Sequence, residues 1–159
     1  MQQNQSMAVC TAEEAMFVAC QMEESAIALY QRALLLCPEG LRDTVTAILQ
    51  EEQKHLCRFR SLSSQLEAKV ERAVWLSTFA GQLLYPGGLL GAARDGLLND
   101  PQSFLQLAAS AEATSVQKYQ EFAKLAQGPV KDTLLMIAAE EQQHLQDLKR
   151  WQLQLTEKA

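Results

Sequence analysis

The chain repeats itself at an offset of 89 residues, and this repeat limits the folds open to it. Residues 16–60 align with 105–149 without a gap, and 13 of the 45 aligned positions are identical. The only two histidines lie in matching five-residue segments, Glu-Glu-Gln-Lys-His at 51–55 and Glu-Glu-Gln-Gln-His at 140–144. Apolar residues recur at helical spacing in both copies, so we expect two copies of one helical hairpin.

Start and stop signals divide the repeat into four helices. Thr11 with Glu14 forms a capping box, and Asp100-Pro101 supplies a cap and a proline suited to a first helical turn. The predicted helices are A from 11 to about 37, B from about 41 to 66, C from 101 to about 127, and D from 130 nearly to the end. We therefore predict an all-α, four-helix bundle in a single domain, 1–159, with a loose tail at 1–10, hairpin A/B at 11–66, a crossover at 67–99 and hairpin C/D at 100–157.

The apolar stripes that should face the core carry polar residues in their middle. The predicted inward positions are Met16, Ala19, Cys20, Glu23, Ile27, Tyr30 and Leu34 on A; Val45, Ile48, Glu52, His55, Phe59 and Leu62 on B; Phe104, Leu107, Ala108, Ala111, Glu112, Ser115, Tyr119 and Phe122 on C; and Leu134, Ile137, Glu141, His144, Leu148 and Trp151 on D.

Residues 67–99 contain an uncharged run of 21 residues, from 73 to 93. Its length would suit a transmembrane helix, but glycines and Pro86 interrupt it, and the repeat needs a crossover here. We therefore expect a crossover with one short helix, near 69–80, and no membrane span. The apolar face of that helix can serve a dimer interface or a lipid surface.

Four carboxylates and two imidazoles form the predicted metal-ligand set. Positions i and i+3 share a helix face, so Glu-x-x-His in each hairpin can chelate one region of space. We predict that Glu52 and Glu141 bridge two metals, with Glu23 and His55 completing one and Glu112 and His144 the other. Mixed oxygen and nitrogen ligands favour two iron ions, with manganese or a mixed pair as alternatives. The four negative charges of the carboxylates balance the charge of two divalent cations.

Four further residues accompany these ligands. Tyr30 and Tyr119 lie two turns beyond Glu23 and Glu112, and we interpret them as hydrogen-bond partners of a ligand carboxylate or as electron carriers; the alternative is that they are ordinary core aromatics. Glu51 and Glu140 are predicted as exposed helix residues, the alternative being that each accepts a proton from a ligand histidine Nδ1. Cys20 is assigned to the core.

Charge and cysteine content exclude several classes of protein. The net charge of −5 and the pI of about 5.1 leave no basic stripe for nucleic acid. The four cysteines form no Cys-x-x-Cys, which argues against a zinc ribbon or a rubredoxin-type centre, and reduced thiols in a cytoplasmic protein are the expectation. The first residues do not resemble a secretion signal.

Through its Glu-x6-Tyr and Glu-Glu-x-x-His motifs, the chain resembles the ferritin-like di-iron carboxylate superfamily, and within it the rubrerythrin-type (erythrin) domain, over about 90 residues. The resemblance implies a ferritin-like bundle and a non-haem di-iron centre that reacts with hydrogen peroxide or dioxygen. Rubrerythrins take electrons through a rubredoxin module, which has no counterpart here, so the resemblance implies an external donor, rubredoxin-like or a flavoprotein. The additional Glu of that family is replaced by Ser115.

Several functions remain open on these grounds. The first is a di-iron oxidoreductase that reduces peroxide or dioxygen. The second is a di-iron oxygenase or hydroxylase acting on an apolar substrate, with the crossover as its substrate surface. The third is an iron-binding or ferroxidase protein, and the fourth is a bundle that binds no metal. A homodimer is expected from the general frequency of two-fold oligomers.

Overall fold

A computed structural model describes residues 8–66, 71–85 and 87–158, and these residues form a bundle of α-helices. The six helices of the described part are α1 (Ala12–Leu36), α2 (Glu39–Ser63), α3 (Ala73–Leu83), α4 (Gly88–Arg94), α5 (Pro101–Ala123) and α6 (Gly128–Glu157). The predicted all-helical class is therefore confirmed for these ranges. Most of the predicted tail, residues 1–7, lies outside the described part of the chain.

The predicted caps begin α1 and α5. The Thr11 hydroxyl accepts a hydrogen bond from the Glu14 backbone N–H at 3.1 Å, and the Asp100 carboxylate accepts one from the Ser103 N–H at 2.9 Å. Each cap satisfies a donor that the first helical turn leaves unpaired. Pro101 occupies the first turn of α5, where a missing N–H does not matter.

Helix ends in the two hairpin turns differ from the prediction by a few residues. Because Pro38 has extended backbone, α1 ends at Leu36 and α2 can begin at Glu39, two residues earlier than predicted. Helix α5 ends at Ala123 and not at 127, since the next residues form i→i+3 bonds such as Lys124 N–H to Glu121 O at 3.1 Å. Helix α6 then begins at Gly128, with the proline in its first turn.

The described part of the crossover, residues 71–85 and 87–99, contains two short helices, so the prediction of one helix near 69–80 was wrong in extent and number. Residues 67–70 lie outside the described part, and α3 runs from Ala73 to Leu83. Leu76, Ala80 and Leu84 are buried at a spacing of four residues, which holds the helix against the bundle beyond position 80. A glycine turn then leads into α4.

The helices are arranged as two hairpins with the crossover along one side. Helix α1 packs against α2, α5 packs against α6, and α3 packs mainly on α1. The end of α1 (Ala33, Leu36) lies beside the start of α5 (Pro101, Phe104), so these two helices are antiparallel and the crossover traverses the length of the bundle. At its beginning, Arg72 Nε donates to Glu14 Oε2 at 2.8 Å and fastens the crossover to α1.

The predicted core positions of α5 and α6 are all buried, whereas those of α1 need a correction. Cys20, Ile27 and Leu34 are only partly buried, while Met22, Leu29 and Ala33 are almost fully buried. The reason is that α3 covers a second face of α1, which a pattern for a helix buried on one face does not anticipate. On α2, the predicted core residues from Val45 to Phe59 are buried, but Leu62 is only partly so.

None of the helices in the described ranges combines the length and the apolar character that crossing a bilayer requires. The uncharged run is broken into α3 and α4, which have 11 and 7 residues. Spanning a bilayer takes about 20 helical residues.

Candidate metal centre

All six predicted ligands meet at mid-height in the bundle, and each is at least 97% buried. Each of the four long helices contributes to this cluster: Glu23 from α1, Glu52 and His55 from α2, Glu112 from α5, and Glu141 and His144 from α6. Charged residues are rarely fully buried without a partner, so six of them in one layer of an apolar core indicate a site and not a packing accident.

The six residues form two overlapping groups that can each hold a metal ion. Glu23, Glu52, His55 and Glu141 can bring one ligand atom apiece to within 4.8 Å of one another, and so can Glu52, Glu112, Glu141 and His144. The two groups share Glu52 and Glu141, which is the grouping that the repeat predicts. The shared carboxylates are placed where they can bridge neighbouring cations.

The inner nitrogen of each imidazole faces more carboxylates than one proton can serve. Nδ1 of His55 lies 3.2 Å from Glu141 Oε1, 3.5 Å from Glu52 Oε2 and 3.8 Å from Glu23 Oε1. The equivalent nitrogen of His144 has Glu52, Glu141 and Glu112 at 3.0, 3.1 and 3.7 Å. A single N–H satisfies one acceptor, whereas a cation at the same place can bind several.

Four carboxylate oxygens in the cluster are buried without a hydrogen-bond donor when the carboxylates are ionised. They are Oε2 of Glu23, both oxygens of Glu52 and Oε2 of Glu112. Glu52 Oε1 lies 3.0 Å from His144 Nδ1, yet this contact lacks the geometry of a hydrogen bond. Buried acceptors without donors cost free energy, and either protons or metal ions can supply the missing partners. The donor set therefore fits divalent cations.

Burial and mutual repulsion decide where the metal-free cluster holds protons. Burial, followed by the charge of Glu52, raises the pKa of Glu23 from 4.5 to about 8. Burial and the charge of Glu112 raise the pKa of Glu141 well above its usual range. Burial acts in the same direction on Glu52 and Glu112, but hydrogen bonds, including those from the protonated Glu23 and Glu141, hold both pKa values below 4.5.

The carboxylates around both imidazoles favour the cationic form of each ring in the metal-free cluster. Burial lowers the pKa of His55 and His144, but hydrogen bonds to the surrounding carboxylates outweigh burial and raise it well above 6.5. Two imidazolium ions then balance the two ionised carboxylates, Glu52 and Glu112, so the metal-free cluster is close to neutral.

The outer nitrogen of each imidazole is held by a carboxylate from the opposite hairpin. Nε2 of His55 lies 2.8 Å from Glu140 Oε2, and Nε2 of His144 lies 2.7 Å from Glu51 Oε2. The two glutamates are 37% and 49% exposed, as predicted, but they also orient the imidazoles. The alternative that they contact Nδ1 was wrong about the atom, because the i, i+3 geometry turns Nδ1 toward the ligand carboxylates and Nε2 outward.

Loss of one of these outer carboxylates should weaken metal binding without abolishing it. We expect Glu140→Gln and Glu51→Gln each to lower the affinity for Co²⁺ by roughly 10–100-fold, since the amide no longer fixes the imidazole as strongly. Competition titration against a chelator of known affinity measures this change. Glu24→Gln is the matched control, because Glu24 is a half-exposed carboxylate paired with Arg60. Equal affinities for Glu140→Gln and Glu24→Gln would contradict the role assigned to Glu140.

The two tyrosines of the repeat bond across the bundle to the opposite hairpin. The Tyr30 hydroxyl donates to Glu112 Oε1, and the Tyr119 hydroxyl donates to Glu23 Oε1 at 2.7 Å. Both rings are at most 1% exposed. The structure therefore places each tyrosine against a glutamate of the cluster, and the sequence left open which glutamate each one reaches. Each hydroxyl fixes Oε1 of its glutamate, and these Oε1 atoms lie 3.8 Å (Glu23) and 3.7 Å (Glu112) from Nδ1 of His55 and of His144. The Oε2 atoms of both glutamates are buried without a hydrogen-bond partner.

A pocket of about 260 Å³ opens at the seam between α2 and α6 and reaches His55. The residues that line it all carry charged, imidazole or amide groups: Glu51, Lys54, His55, Arg58, Glu140 and Gln143. Arg58 lies 3.3 Å from Glu140, so a cation sits beside the carboxylate that holds the imidazole. Of the six cluster residues, the lining of this pocket includes His55.

Two residues outside the repeat require comment. Tyr85, in the crossover, is 1% exposed and was not among the predicted site residues, because it has no counterpart in the other half of the repeat. Cys20 is partly buried, and burial with the nearby charge of Glu24 raises its thiol pKa from 9.0 to about 11. Its thiol is therefore protonated at neutral pH, which agrees with a packing role.

No family model, curated protein or solved structure matches the chain. The fold and the cluster alone define the class to which it belongs. It is an all-helical protein whose described part contains buried glutamate and histidine groups able to hold a metal ion.

Proposed function

We propose that this protein is a di-iron oxidoreductase of the rubrerythrin type, built on a ferritin-like four-helix bundle, that reduces hydrogen peroxide. The observation that carries the proposal is the sharing of Glu52 and Glu141 between two adjacent four-residue groups. Two ions that share bridging carboxylates can exchange two electrons together, and breaking the O–O bond of peroxide requires two electrons. Dioxygen is the alternative oxidant.

The ligand chemistry favours iron, with manganese or a mixed pair as the alternative. Each group offers three carboxylates and one imidazole and no thiolate, a set suited to these ions more than to thiophilic metals. An iron pair held by these residues would supply the two electrons that, with two protons, reduce peroxide to two molecules of water. The electrons would be restored by an external donor, rubredoxin-like or a flavoprotein, as the resemblance implies.

The chain's own side chains would orient the ligands and exclude water. Tyr30 and Tyr119 each hold one oxygen of Glu112 and Glu23 and leave the other oxygen free for a metal. The outer glutamates, 51 and 140, hold the histidine rings so that both inner nitrogens point at the cluster. Ligands fixed in this way need little rearrangement when the charge of the metals changes.

The nature of the α2–α6 pocket supports a small, polar oxidant. Ionic and amide side chains line the pocket, and Lys54 and Arg58 place positive charge beside two carboxylates. Peroxide can form hydrogen bonds in such a pocket, whereas an apolar organic substrate would have to displace water from charged groups without replacing their contacts. The pocket therefore supports peroxide reduction over hydroxylation of an apolar substrate.

The proposal predicts that peroxide oxidises the iron-loaded protein faster than dioxygen. Apo-protein loaded anaerobically with two equivalents of Fe²⁺ is mixed with equal concentrations of either oxidant, and the growth of ferric absorbance is followed by stopped flow. We expect the peroxide reaction to be at least about tenfold faster, a barrier difference of about 1.4 kcal/mol. Glu52→Ala is the control that lacks a bridging carboxylate. Faster oxidation by dioxygen would overturn peroxide reduction and favour a ferroxidase or an oxygenase.

A further inference from the structure

Tyr85 is a third buried tyrosine, and the local backbone places it inside the bundle. Helix α3 ends at Leu83, and the ring of Tyr85 follows after one residue with 1% of its surface exposed. The Gly88 N–H donates to the Tyr85 carbonyl at 2.7 Å, and Gly87 and Gly88 have φ values of +79° and +74°. Side chains disfavour that backbone region, so the two glycines permit the sharp turn that returns the chain to α4.

The hydroxyl of Tyr85 contacts the backbone of α1 close to the position of Glu23 along that helix. It donates to the backbone carbonyl of Ser25 at 3.0 Å, two residues beyond Glu23 on α1. Burial, and after it the charges of Glu112, Glu52 and Glu23, raise the pKa of this phenol well above 10.0. Carboxylates from three helices therefore act on one hydroxyl.

The surroundings of the cluster differ between the two sides of the bundle, and Tyr85 lies on one side only. Helices α2 and α6 carry the histidines, and the polar pocket opens between them. Helices α1 and α5 pack together on the other side of the bundle, where α3 and Tyr85 cover α1. The repeat would make these surroundings symmetric for both hairpins, but the crossover occurs once and covers one face only.

We propose that the ring of Tyr85 is a plug that closes the α1 side of the metal centre, so that only molecules small enough to pass the α2–α6 pocket reach the metals. This inference rests on the proposed function. It makes Tyr85 a specificity-determining residue: with the ring in place the site admits peroxide-sized molecules, and without it the site admits a planar aromatic molecule. Removing a buried ring leaves a cavity, and such cavities bind aromatic molecules of matching size.

Binding of phenol to the Co²⁺-loaded protein tests the plug, and this measurement does not require catalytic turnover. Wild type, Tyr85→Ala, Tyr85→Phe and Phe79→Ala are loaded with Co²⁺, and the visible Co²⁺ absorption is recorded while phenol is added. Tyr85→Phe keeps the ring but loses the bond to Ser25. Phe79→Ala is the control for a loosened crossover, because Phe79 stacks on Trp75 with ring centroids 5.3 Å apart and is only partly buried.

We expect phenol to bind Tyr85→Ala saturably, at least about tenfold more tightly than it binds the other three proteins, and to change the Co²⁺ spectrum. An unchanged spectrum in Tyr85→Ala, or an equal change in wild type, would overturn the plug. If Tyr85→Ala does not fold, Tyr85→Val is judged by the same criterion. Failure of the wild type to bind two Co²⁺ ions per chain would overturn the proposed function itself.

Discussion

Two equivalents of Fe²⁺ or Mn²⁺, added anaerobically, are expected to raise the Tm of the metal-free protein by roughly 10–20 °C. The physical reason is that the metals bind the carboxylates assembled in the folded state and not the unfolded chain, and take the place of the protons that the buried oxygens of Glu23, Glu52 and Glu112 otherwise need. At a free metal concentration one hundred times Kd, each occupied site adds about 2.7 kcal/mol to the free energy of unfolding. Each added kcal/mol raises the Tm of a domain of this size by about 2–4 °C. Differential scanning calorimetry measures the shift.

The same experiment on variants identifies the shared ligands. Glu52→Ala and Glu141→Ala each remove a carboxylate from both metal groups, so we expect the increase in Tm and the binding of a second ion to be lost. Glu24→Ala is the matched control, because Glu24 is adjacent to a ligand in the sequence but is half-exposed. A full increase in Tm for Glu52→Ala would contradict the assignment of Glu52 as a bridging ligand.

Metal binding at pH 7 is expected to release about four protons for two divalent ions. In the metal-free cluster, protons reside on the carboxyl groups of Glu23 and Glu141 and on Nδ1 of the two imidazolium rings. All four must leave when these atoms bind metal. Calorimetric titrations in buffers with different ionisation enthalpies count the protons, and a value near zero would show that the cluster is already ionised and would contradict this assignment.

The same pKa shifts predict that the metal-free protein loses stability as the pH rises, so that the stabilisation by bound metal increases with pH. The folded-state pKa of Glu23 is raised from 4.5 to about 8, so its neutral form stabilises the fold below pH 4.5, and this stabilisation is lost as the pH rises to about 8. Glu141, His55 and His144 are shifted in the same direction. The increase in Tm on adding metal should therefore grow between pH 5 and pH 8. A constant increase across this range would contradict the prediction.

The internal repeat explains why so much of the arrangement was predictable. Glu23, Glu52 and His55 each have a partner 89 residues later, and each lies on an apolar stripe at helical spacing. Spacing of this kind fixes the face and the height of a side chain on its helix. The structure accordingly brings the six residues together in the predicted two groups.

Contacts across the bundle were less predictable because they depend on how the two hairpins pack. That Tyr30 reaches Glu112, and that Glu140 reaches the outer nitrogen of His55, follows from the relative position of helices 80 or more residues apart in sequence. Tyr85 was missed for a different reason. Its burial depends on a crossover that has no counterpart in the repeat, and its only local signal is the glycine pair that follows Pro86.

Mössbauer spectroscopy of the protein loaded anaerobically with ⁵⁷Fe²⁺ and then oxidised with peroxide would test most directly whether this is a dinuclear centre. We expect two iron ions per chain that become ferric and form one magnetically coupled, diamagnetic pair, because both groups share Glu52 and Glu141. One iron per chain, or two ferric ions without magnetic coupling, would contradict a centre in which these two glutamates bridge the metals.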